Sequence, residues 1–451
     1  MRCLARAAIL VTALGACAAA TVPVASGAEH QRPRTERVSV TAGGAQANGE
    51  SYTAGISADG RFATFRSRAT DLAPGTREGV NLFIKDLRTG AVEQANVASD
   101  GTPADDSSFD IALSADGRYA VFDSRAGNLS PDKRPGDTDL FVRDRRTGRT
   151  ELLLENKQQQ AGTSYEPAMS ADGRFVAFAS SRTDLVPGPS TDPMAVFVRD
   201  RWTGTTQRVS VRSDGSQAGT RSAAPVISAD GSKVGFLSLG GLGEGEGEGE
   251  GVSGPDGAGQ GSARPRLDSF YVHDMRTGRT ELAARQRDGS GASATDVGLS
   301  PDGRYALFSS RTSGVVPGKT TNTADVYARD LRTGVTRRLS VAHDGAEALG
   351  NSRGPVMSGD NRKVFFSSTA PNLVPGGSGG TEGRSAVYAR DLLTGAVERL
   401  DVAGNGTPAN GDSDGVAVDL TGRTAVFTSA ADNLVPDDTD KVVDVFLRRL
   451  A

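Results

Sequence analysis

The sequence is poor in cysteine, in aromatic residues and in long apolar runs. Its 451 residues include two cysteines, Cys3 and Cys17, and 5% of the residues are aromatic. Both cysteines lie in an N-terminal segment that we expect to be cleaved off. The mature protein would then have no disulfides and would be stabilised by packing and backbone pairing. Beyond the N-terminal segment no apolar stretch is long enough to cross a bilayer, which excludes a protein with several membrane spans.

The chain also has little net charge and few histidines. A formal charge of -4 excludes a strongly basic nucleic-acid-binding protein, and three histidines leave few candidate bases for nucleophilic catalysis. Glycine is abundant instead, with 57 residues, and this density weakens any long helix. The composition therefore predicts a folded, turn-rich β protein.

The N-terminus has the order of a secretory signal peptide. Arg2 and Arg6 precede an apolar stretch at 7–20, and small residues follow up to Ala28. We expect cleavage after Ala28, a short tail at 29–35, and a protein that is secreted or resides in the cell envelope.

A lipoprotein signal is the alternative reading of the same segment. Residues 14–17 read Leu-Gly-Ala-Cys, which resembles a lipobox in which Cys17 is lipidated. The protein would then be a lipid-anchored structural protein of the cell surface. A membrane-spanning anchor is disfavoured because the apolar run is shorter than the roughly 18 residues that a span needs.

One ten-residue motif recurs seven times along the rest of the chain. The copies are ISADGRFATF at 56, LSADGRYAVF at 113, MSADGRFVAF at 169, ISADGSKVGF at 227, LSPDGRYALF at 299, MSGDNRKVFF at 357 and VDLTGRTAVF at 418. The interval between the fourth and fifth copies is longer than the others because of a tract of alternating Gly and Glu. We expect this insert, about 239–266, to be flexible.

Each copy contains four short strand candidates. In the first copy they lie at 52–57, 61–66, 81–85 and 92–97, and we name them strands A to D. Asp-Gly pairs and the Asp-x-x-Thr-Gly sequence between strands C and D favour hairpins. Four-stranded antiparallel units cannot bury both faces alone, so seven of them predict an all-β, seven-bladed β-propeller with antiparallel blades.

The register of the repeats predicts how the ring closes. The seventh copy ends at strand C, whereas a strand resembling D stands ahead of the first copy at 36–40. We expect this N-terminal strand to complete the last blade, which leaves no open edge between the two ends of the chain. A single propeller domain would then occupy 36–451.

The repeat resembles the bacterial WD40-like (PD40) repeat of TolB-like propellers. The resemblance rests on Ser-Ala/Pro-Asp-Gly-Arg, on the strand B phenylalanine, and on Phe/Tyr-x-Arg-Asp-x-x-Thr-Gly, as at 141–148. It covers nearly the whole mature chain and implies the propeller fold, although such propellers carry many functions. The additional N-terminal α/β domain of TolB has no counterpart in this sequence, so a TolB role is not implied.

Eighteen of the 24 aromatic residues fall at repeat positions that predict blade-to-blade packing. Three of the remaining six, Tyr52, Phe109 and Tyr165, share one position, five residues before the end of strand A. By analogy with known propellers, strand A lines the central channel, so this aromatic arc would face Arg353 and Asp414 across the mouth. The arrangement suits a sugar or a peptide; the alternative is that these side chains only plug the channel.

Acidic residues supply the other candidates for chemistry. Asp110, Glu166, Asp296 and Asp414 are expected near the mouth and could act as paired carboxylates in a hydrolase or lyase of carbohydrates. Two groups weakly resemble calcium sites, Asp438 and Asp440 with Asp444, and Asp137 with Asp139, but neither has the full alternating set of oxygen ligands. The six strand C acids are interpreted as acceptors for turn N–H groups, and we expect no cofactor.

These observations favour a secreted, non-catalytic and monomeric binding module. Its partner would be a protein, a peptide or a glycan, bound at the loop-rich face and channel mouth, with no nucleic acid and no membrane span. The carbohydrate-active enzyme and the lipid-anchored surface protein remain the alternatives. A serine nucleophile is not expected, because the Gly-x-Ser-x-Gly motif occurs here only in connecting loops.

Overall fold

The computed structural model describes residues 34–134, 136–155, 161–242, 268–377 and 383–450. The predicted signal peptide, Cys17 and most of the predicted flexible insert lie outside these residues. Within them, no helix has the length and apolar character that a membrane crossing requires.

The described residues form seven four-stranded antiparallel sheets, which confirms the predicted seven-bladed propeller. Each blade runs from inner strand A to outer strand D. Blades 1 to 4 comprise β2 to β17: Ser51–Ile56, Phe62–Ser67, Asn81–Asp86, Val92–Gln94; Ser108–Leu113, Tyr119–Ser124, Asp139–Asp144, Arg149–Leu152; Ser164–Met169, Phe175–Ser180, Ala195–Asp200, Thr205–Arg208; Ser222–Ile227, Lys233–Ser238, Ser269–Asp274, Thr280–Leu282. The D strands are shorter than the sequence predicts.

Blades 5 to 7 contain the remaining strands, and blade 7 combines both ends of the chain. Their strands are β18 to β28 and β1: Thr295–Leu299, Tyr305–Ser310, Asp325–Asp330, Thr336–Arg338; Ser352–Met357, Lys363–Ser368, Ala386–Asp391, Val397–Arg399; Ser413–Val418, Thr424–Ser429, Asp444–Arg449 and Thr35–Arg37. A 3-10 turn at Pro375–Gly377 precedes β24, the C strand of blade 6.

The N-terminal strand β1 closes the ring as predicted. It pairs antiparallel with β28, so that Thr35 lies opposite Arg448 and Arg37 opposite Phe446. The N–H of Val38 donates a further hydrogen bond to the carbonyl of Val445 at 2.7 Å. Blade 7 therefore acquires its fourth strand from the other end of the chain.

Each blade contains one stacked aromatic pair between strands B and C. In blade 1, Phe65 and Phe83 lie opposite each other in the ladder and their ring centroids are 5.6 Å apart. The seven pairs have centroid distances of 5.4 to 6.1 Å. All fourteen rings are buried, which confirms their predicted role in the core.

A second set of rings packs between neighbouring blades at the A–B turns. A Cβ at Gly117 would stand 2.2 Å from the Phe62 ring, so this ring lies directly on the turn of the next blade. Gly173 contacts Tyr119 in the same way, and Gly231 contacts Phe175. Because the turn also needs a positive φ, glycine meets both requirements at these positions.

The strand C acids hold the C–D turns, as predicted. Asp86 accepts hydrogen bonds from the N–H groups of Arg88 at 2.9 Å and Thr89 at 3.2 Å. It also accepts from the Arg61 guanidinium at 2.7 Å, and this hydrogen bond lowers the pKa of Asp86 to about 2. These acids therefore have a structural role in the C–D turns.

Candidate functional site

The inner strands share an irregularity at the repeat position of Tyr52, Phe109 and Tyr165. The A–B pairing register shifts after the second residue of strand A, for example between Tyr52 and Gly55. The next residue has a positive φ in several blades: 57° at Thr53, 55° at Glu166 and 46° at Asp296. Non-glycine residues rarely adopt this conformation, and bulges re-aim side chains, so the backbone redirects the side chains of strand A at this position.

Two of the three predicted aromatic residues border one cavity between blades 2 and 3. The cavity has a volume of about 350 Å³ and is lined by Phe109 and Tyr165 together with the carboxyl groups of Asp110, Asp123 and Glu166. We call these five residues the mouth cluster. Asp110 and Glu166 were sequence candidates, whereas Asp123 was missed.

Asp123 is the most buried acid of the mouth cluster. It is 2% exposed and accepts the backbone N–H of Asp110 at 2.6 Å. Burial, reinforced by the nearby charge of Asp110, raises the pKa of Asp123 to about 7. This carboxyl group is therefore partly protonated at neutral pH and can donate a hydrogen bond as well as accept one.

The other two acids of the mouth cluster are half-buried. Burial raises the pKa of Asp110, although the Arg66 guanidinium at 4.0 Å opposes this shift. Burial also raises the pKa of Glu166, which accepts the backbone N–H of Ala224 at 2.8 Å. Three carboxyl groups with raised pKa values thus share one cleft, an arrangement typical of functional sites.

Arginine side chains cover part of the aromatic surface. The guanidinium of Arg125 lies 5.2 Å from the centroid of the Phe109 ring, and that of Arg66 lies 5.0 Å from the Tyr52 ring. Arg68 donates a hydrogen bond to the Tyr52 hydroxyl at 2.9 Å. Tyr52 is therefore held by arginines beside the mouth cluster and does not line its cavity.

The remaining sequence candidates lie on other blades. Arg353 and Asp414 form an ion pair with each other between blades 6 and 7. Asp296 is exposed on blade 5 and accepts a hydrogen bond from the Thr295 hydroxyl at 3.1 Å. These three residues do not contribute to the cavity of the mouth cluster.

The acids considered for calcium at the end of the chain do form a group. One carboxylate oxygen from each of Asp438, Asp440 and Asp444 lies within 4.8 Å of the others. Arg37 of β1 enters this group, however, with its guanidinium 3.0 Å from Asp438 and 3.2 Å from Asp444. Gln46 also donates to Asp438 at 3.1 Å.

The second calcium candidate contains a lysine in the corresponding place. The Lys133 ammonium lies 3.8 Å from Asp139 and donates to the backbone carbonyl of Asp137 at 2.6 Å. In both groups a cationic side chain of the chain itself compensates the acids. The residues present therefore do not fit a calcium ion well, because Arg37 or Lys133 would have to be displaced.

Sequence comparisons add no assignment: neither a family model nor a curated protein matches this chain. Solved structures do match. An oligogalacturonate lyase in complex with manganese aligns with a TM-score of 0.54 and 14% identity, covering 92% of this chain and 93% of that one. An oligogalacturonate lyase from Vibrio parahaemolyticus gives 0.55 and 12%, with the same coverage.

The β-propeller domain of the Trilobed protease from Pyrococcus furiosus aligns with a TM-score of 0.51 and 12% identity, covering 88% of this chain and 95% of that one. What these proteins share with this chain is the propeller fold. TolB from Acinetobacter baumannii is also among the matches, at a TM-score of 0.38 and 15% identity over 90% of this chain and 81% of that one. The seven four-stranded sheets and the three matches with TM-scores above 0.5 confirm the propeller fold that the repeat implies. The function of this chain has to be argued from its own residues.

Proposed function

We propose that this protein is a secreted binding module that holds a glycan at the mouth cluster. The observation that carries the proposal is the convergence of two aromatic rings and three carboxyl groups on one 350 Å³ cavity. Aromatic faces pack against the C–H faces of sugar rings, and carboxyl groups accept hydrogen bonds from sugar hydroxyls. A peptide remains the alternative ligand, with the carboxyl groups facing its basic side chains.

The charge balance of the mouth cluster supports a neutral ligand over a strongly cationic one. Arg66 lies beside Asp110, Arg125 covers Phe109, and Arg221 donates to the Tyr165 hydroxyl at 3.4 Å. The guanidinium groups offset much of the acidic charge. Hydrogen bonding and ring packing are therefore the main interactions available to a ligand here.

Replacement of both rings tests the proposed site. In the Phe109→Ala/Tyr165→Ala variant we expect glycan affinity to fall by at least about tenfold, because the apolar contact surface is lost. The matched control is Tyr52→Ala, which removes an aromatic residue at the same repeat position outside the cavity. The measurement is calorimetric titration with ligands identified on a glycan array. Equal losses in the two variants, or no glycan binding by the unmodified protein, would count against the site.

A carbohydrate-active hydrolase or lyase is the second candidate, and the pKa of Asp123 is the observation that favours it. Glycosidases use a pair of carboxyl groups, one of which has a raised pKa and acts as the general acid, and Asp123 with its pKa of about 7 lies beside two further carboxyl groups. Two propellers of similar architecture are oligogalacturonate lyases, so this fold is compatible with such a reaction. Turnover of a bound glycan that Asp123→Asn abolishes without loss of affinity would favour the enzyme.

Export and anchoring belong to the same proposal. Cleavage after Ala28 would release a free protein, whereas lipidation of Cys17 would retain it at the cell surface. The intact mass of the exported protein distinguishes the free form from the lipidated form, because the lipidated form begins at Cys17 and carries acyl chains.

A further inference from the structure

Blades 1 and 2 each combine an aromatic residue with an arginine at the channel mouth. The residue that follows strand B is Arg68 in blade 1 and Arg125 in blade 2. In both blades its backbone N–H donates at 3.0 Å to the carbonyl of the residue just before strand A. This position therefore lies beside the second residue of strand A, which is Tyr52 in blade 1 and Phe109 in blade 2. The other blades have Ser181, Leu239, Arg311, Thr369 and Ala430 after strand B.

The contacts of these two arginines leave most of their N–H donors free. The Arg125 guanidinium lies over the Phe109 ring, 5.2 Å from its centroid, and a cation–π contact uses none of the N–H donors. Arg68 donates from Nε to the Tyr52 hydroxyl at 2.9 Å and keeps the N–H groups of its two terminal nitrogens. In the part of the chain that the structure describes, neither arginine forms an ion pair with an acid. Both residues are exposed, so a ligand can reach them.

Arg66 adds a third guanidinium group between blades 1 and 2. It is the fifth residue of strand B, where blade 2 has Asp123, and no other blade has a charged residue at this position. Its guanidinium lies 5.0 Å from the centroid of the Tyr52 ring and 4.0 Å from the carboxylate of Asp110 on blade 2. The Arg66 side chain is 31% exposed. It therefore contacts blade 1 and faces the mouth cluster at the same time.

The arginine rim, as we call Arg66, Arg68 and Arg125, gives this side of the mouth an excess of positive charge. Together with Arg221 on the other side of the cavity, four guanidinium groups stand near the three carboxyl groups of the mouth cluster. Burial raises the pKa of all three carboxyl groups, and Asp123, with a pKa of about 7, is only partly ionised at neutral pH. The acids of the cavity therefore do not neutralise the rim.

We propose that the arginine rim is an anion subsite of the mouth cluster, which binds the carboxylate or sulfate group of an acidic sugar whose ring lies in the cavity. The inference rests on the proposed glycan site and assigns it an acidic ligand. A guanidinium group presents N–H donors in one plane, in a fork that matches two oxygens of one oxyanion. Arg125 lines the same cavity as the mouth cluster, so it can contact an acidic substituent of a sugar ring bound there.

The test compares three probes that differ only in the substituent at C6: methyl β-D-glucoside, methyl β-D-glucuronide and methyl β-D-glucoside 6-sulfate. Binding is followed by NMR through the Nε–H resonances of the arginine side chains. We expect at least one anionic probe to bind at least about tenfold more tightly than the glucoside, because hydrogen bonds to charged groups are the stronger ones. Higher ionic strength should weaken the binding of this probe. A smaller gain with both anionic probes, or no saturable shift with either, would overturn the subsite.

Arg68→Gln/Arg125→Gln is the test variant, and Arg311→Gln is its matched control. Arg311 occupies the same repeat position in blade 5 and is exposed, and it donates to the carbonyl of Asn322 at 3.1 Å. Thr295 stands there in place of the aromatic residue. The double variant should reduce the ratio of glucuronide or sulfate affinity to glucoside affinity by at least about tenfold, and the control should leave this ratio unchanged. An unchanged ratio in the double variant, or equal losses in both variants, would contradict the proposal.

Failure of the arginine rim is distinguishable from failure of the glycan site. Glycans that bind without a preference for an acidic substituent, and whose affinity is lost in Phe109→Ala/Tyr165→Ala, would overturn the rim and leave the mouth cluster as the binding site. If no glycan binds to the unmodified protein, both assignments are wrong.

Discussion

Deletion of residues 35–42 is expected to lower the melting temperature by at least about 5 °C, because the folded protein loses several kcal/mol of stabilisation from ring closure. The deletion removes the ladder between β1 and β28, including the pairing of Arg37 with Phe446. It also removes Val38, which is 1% exposed and packs in the core cluster of blades 1 and 7. The remaining β28 would present an unpaired edge, so we also expect concentration-dependent association in light scattering.

A circular permutant is the matched control for this deletion. Joining Leu450 to Arg34 through a short turn, with new termini between 43 and 50, would make β1 an ordinary strand D after β28. The N–H of Arg449 already donates to the carbonyl of Arg34 at 3.2 Å, so the two ends are adjacent. The permutant should melt within a few degrees of the parent. A deletion variant with the parental melting temperature would contradict closure by β1.

Arg37→Ala is expected to lower the free energy of unfolding by about 3 kcal/mol, since it leaves buried acids without a counter-charge. The side chains of Arg37, Asp438 and Asp444 are 7%, 2% and 1% exposed, so this ion pair is largely shielded from solvent. Ser39 still donates to Asp444 at 2.6 Å and Gln46 to Asp438 at 3.1 Å, but hydrogen bonds from neutral groups do not offset the lost ion pairs. Urea denaturation of the two proteins measures the difference.

The loss of unfolding free energy in Arg37→Ala should depend on pH. Burial raises the pKa of Asp444 to about 6 in the folded protein, and removal of Arg37 raises it further. A carboxyl group whose pKa is higher in the folded state contributes stability at low pH that disappears as the pH rises through the folded value. The defect of Arg37→Ala should therefore be larger at pH 8 than at pH 5.

Glu36→Ala is the control for Arg37→Ala. Glu36 is the neighbouring residue of β1, and its side chain is 42% exposed and pairs at the surface with Arg34 at 3.6 Å. An exposed ion pair of this kind contributes little to the stability of the folded protein, so the change in unfolding free energy should stay within about 0.5 kcal/mol. Equal effects of the two substitutions would show that Arg37 has no special part in closure.

The repeat predicts the features that every blade shares. Blade number, strand order, the stacked pairs such as Phe65 with Phe83, and closure by the N-terminal strand all follow from positions that recur in the copies of the repeat. Strand D is the exception: Val92–Gln94 is shorter than predicted because the chain leaves the ladder after three residues. Residues 95–97 are buried under the neighbouring blade, and their sequence resembles a strand for that reason.

The candidate site could be predicted only in part, because it depends on departures from the repeat. Phe109, Tyr165, Asp110 and Glu166 are in strand A, where comparison of the copies reveals them. Asp123 lies in strand B, and its signal was an acid within the otherwise apolar YAVFDS segment. A single charged residue in a core strand identifies a site only when its spatial neighbours are known.

The repeat also does not reveal ion pairs between residues that are far apart in the sequence. Asp438 and Asp444 look like weak metal ligands when the local sequence alone is considered. Arg37, which lies about 400 positions earlier, reaches them because the ring closes.

The most direct test of the mouth cluster is the pKa of Asp123, measured from the pH dependence of its side-chain ¹³C carboxyl resonance. The Asp123→Asn variant assigns the signal by its disappearance. Burial beside Asp110 predicts a midpoint near pH 7, as expected for a carboxyl group that can donate a hydrogen bond to a ligand. A midpoint near the ordinary aspartate value of about 3.9 would mean that the carboxyl is solvated and would contradict the proposed site.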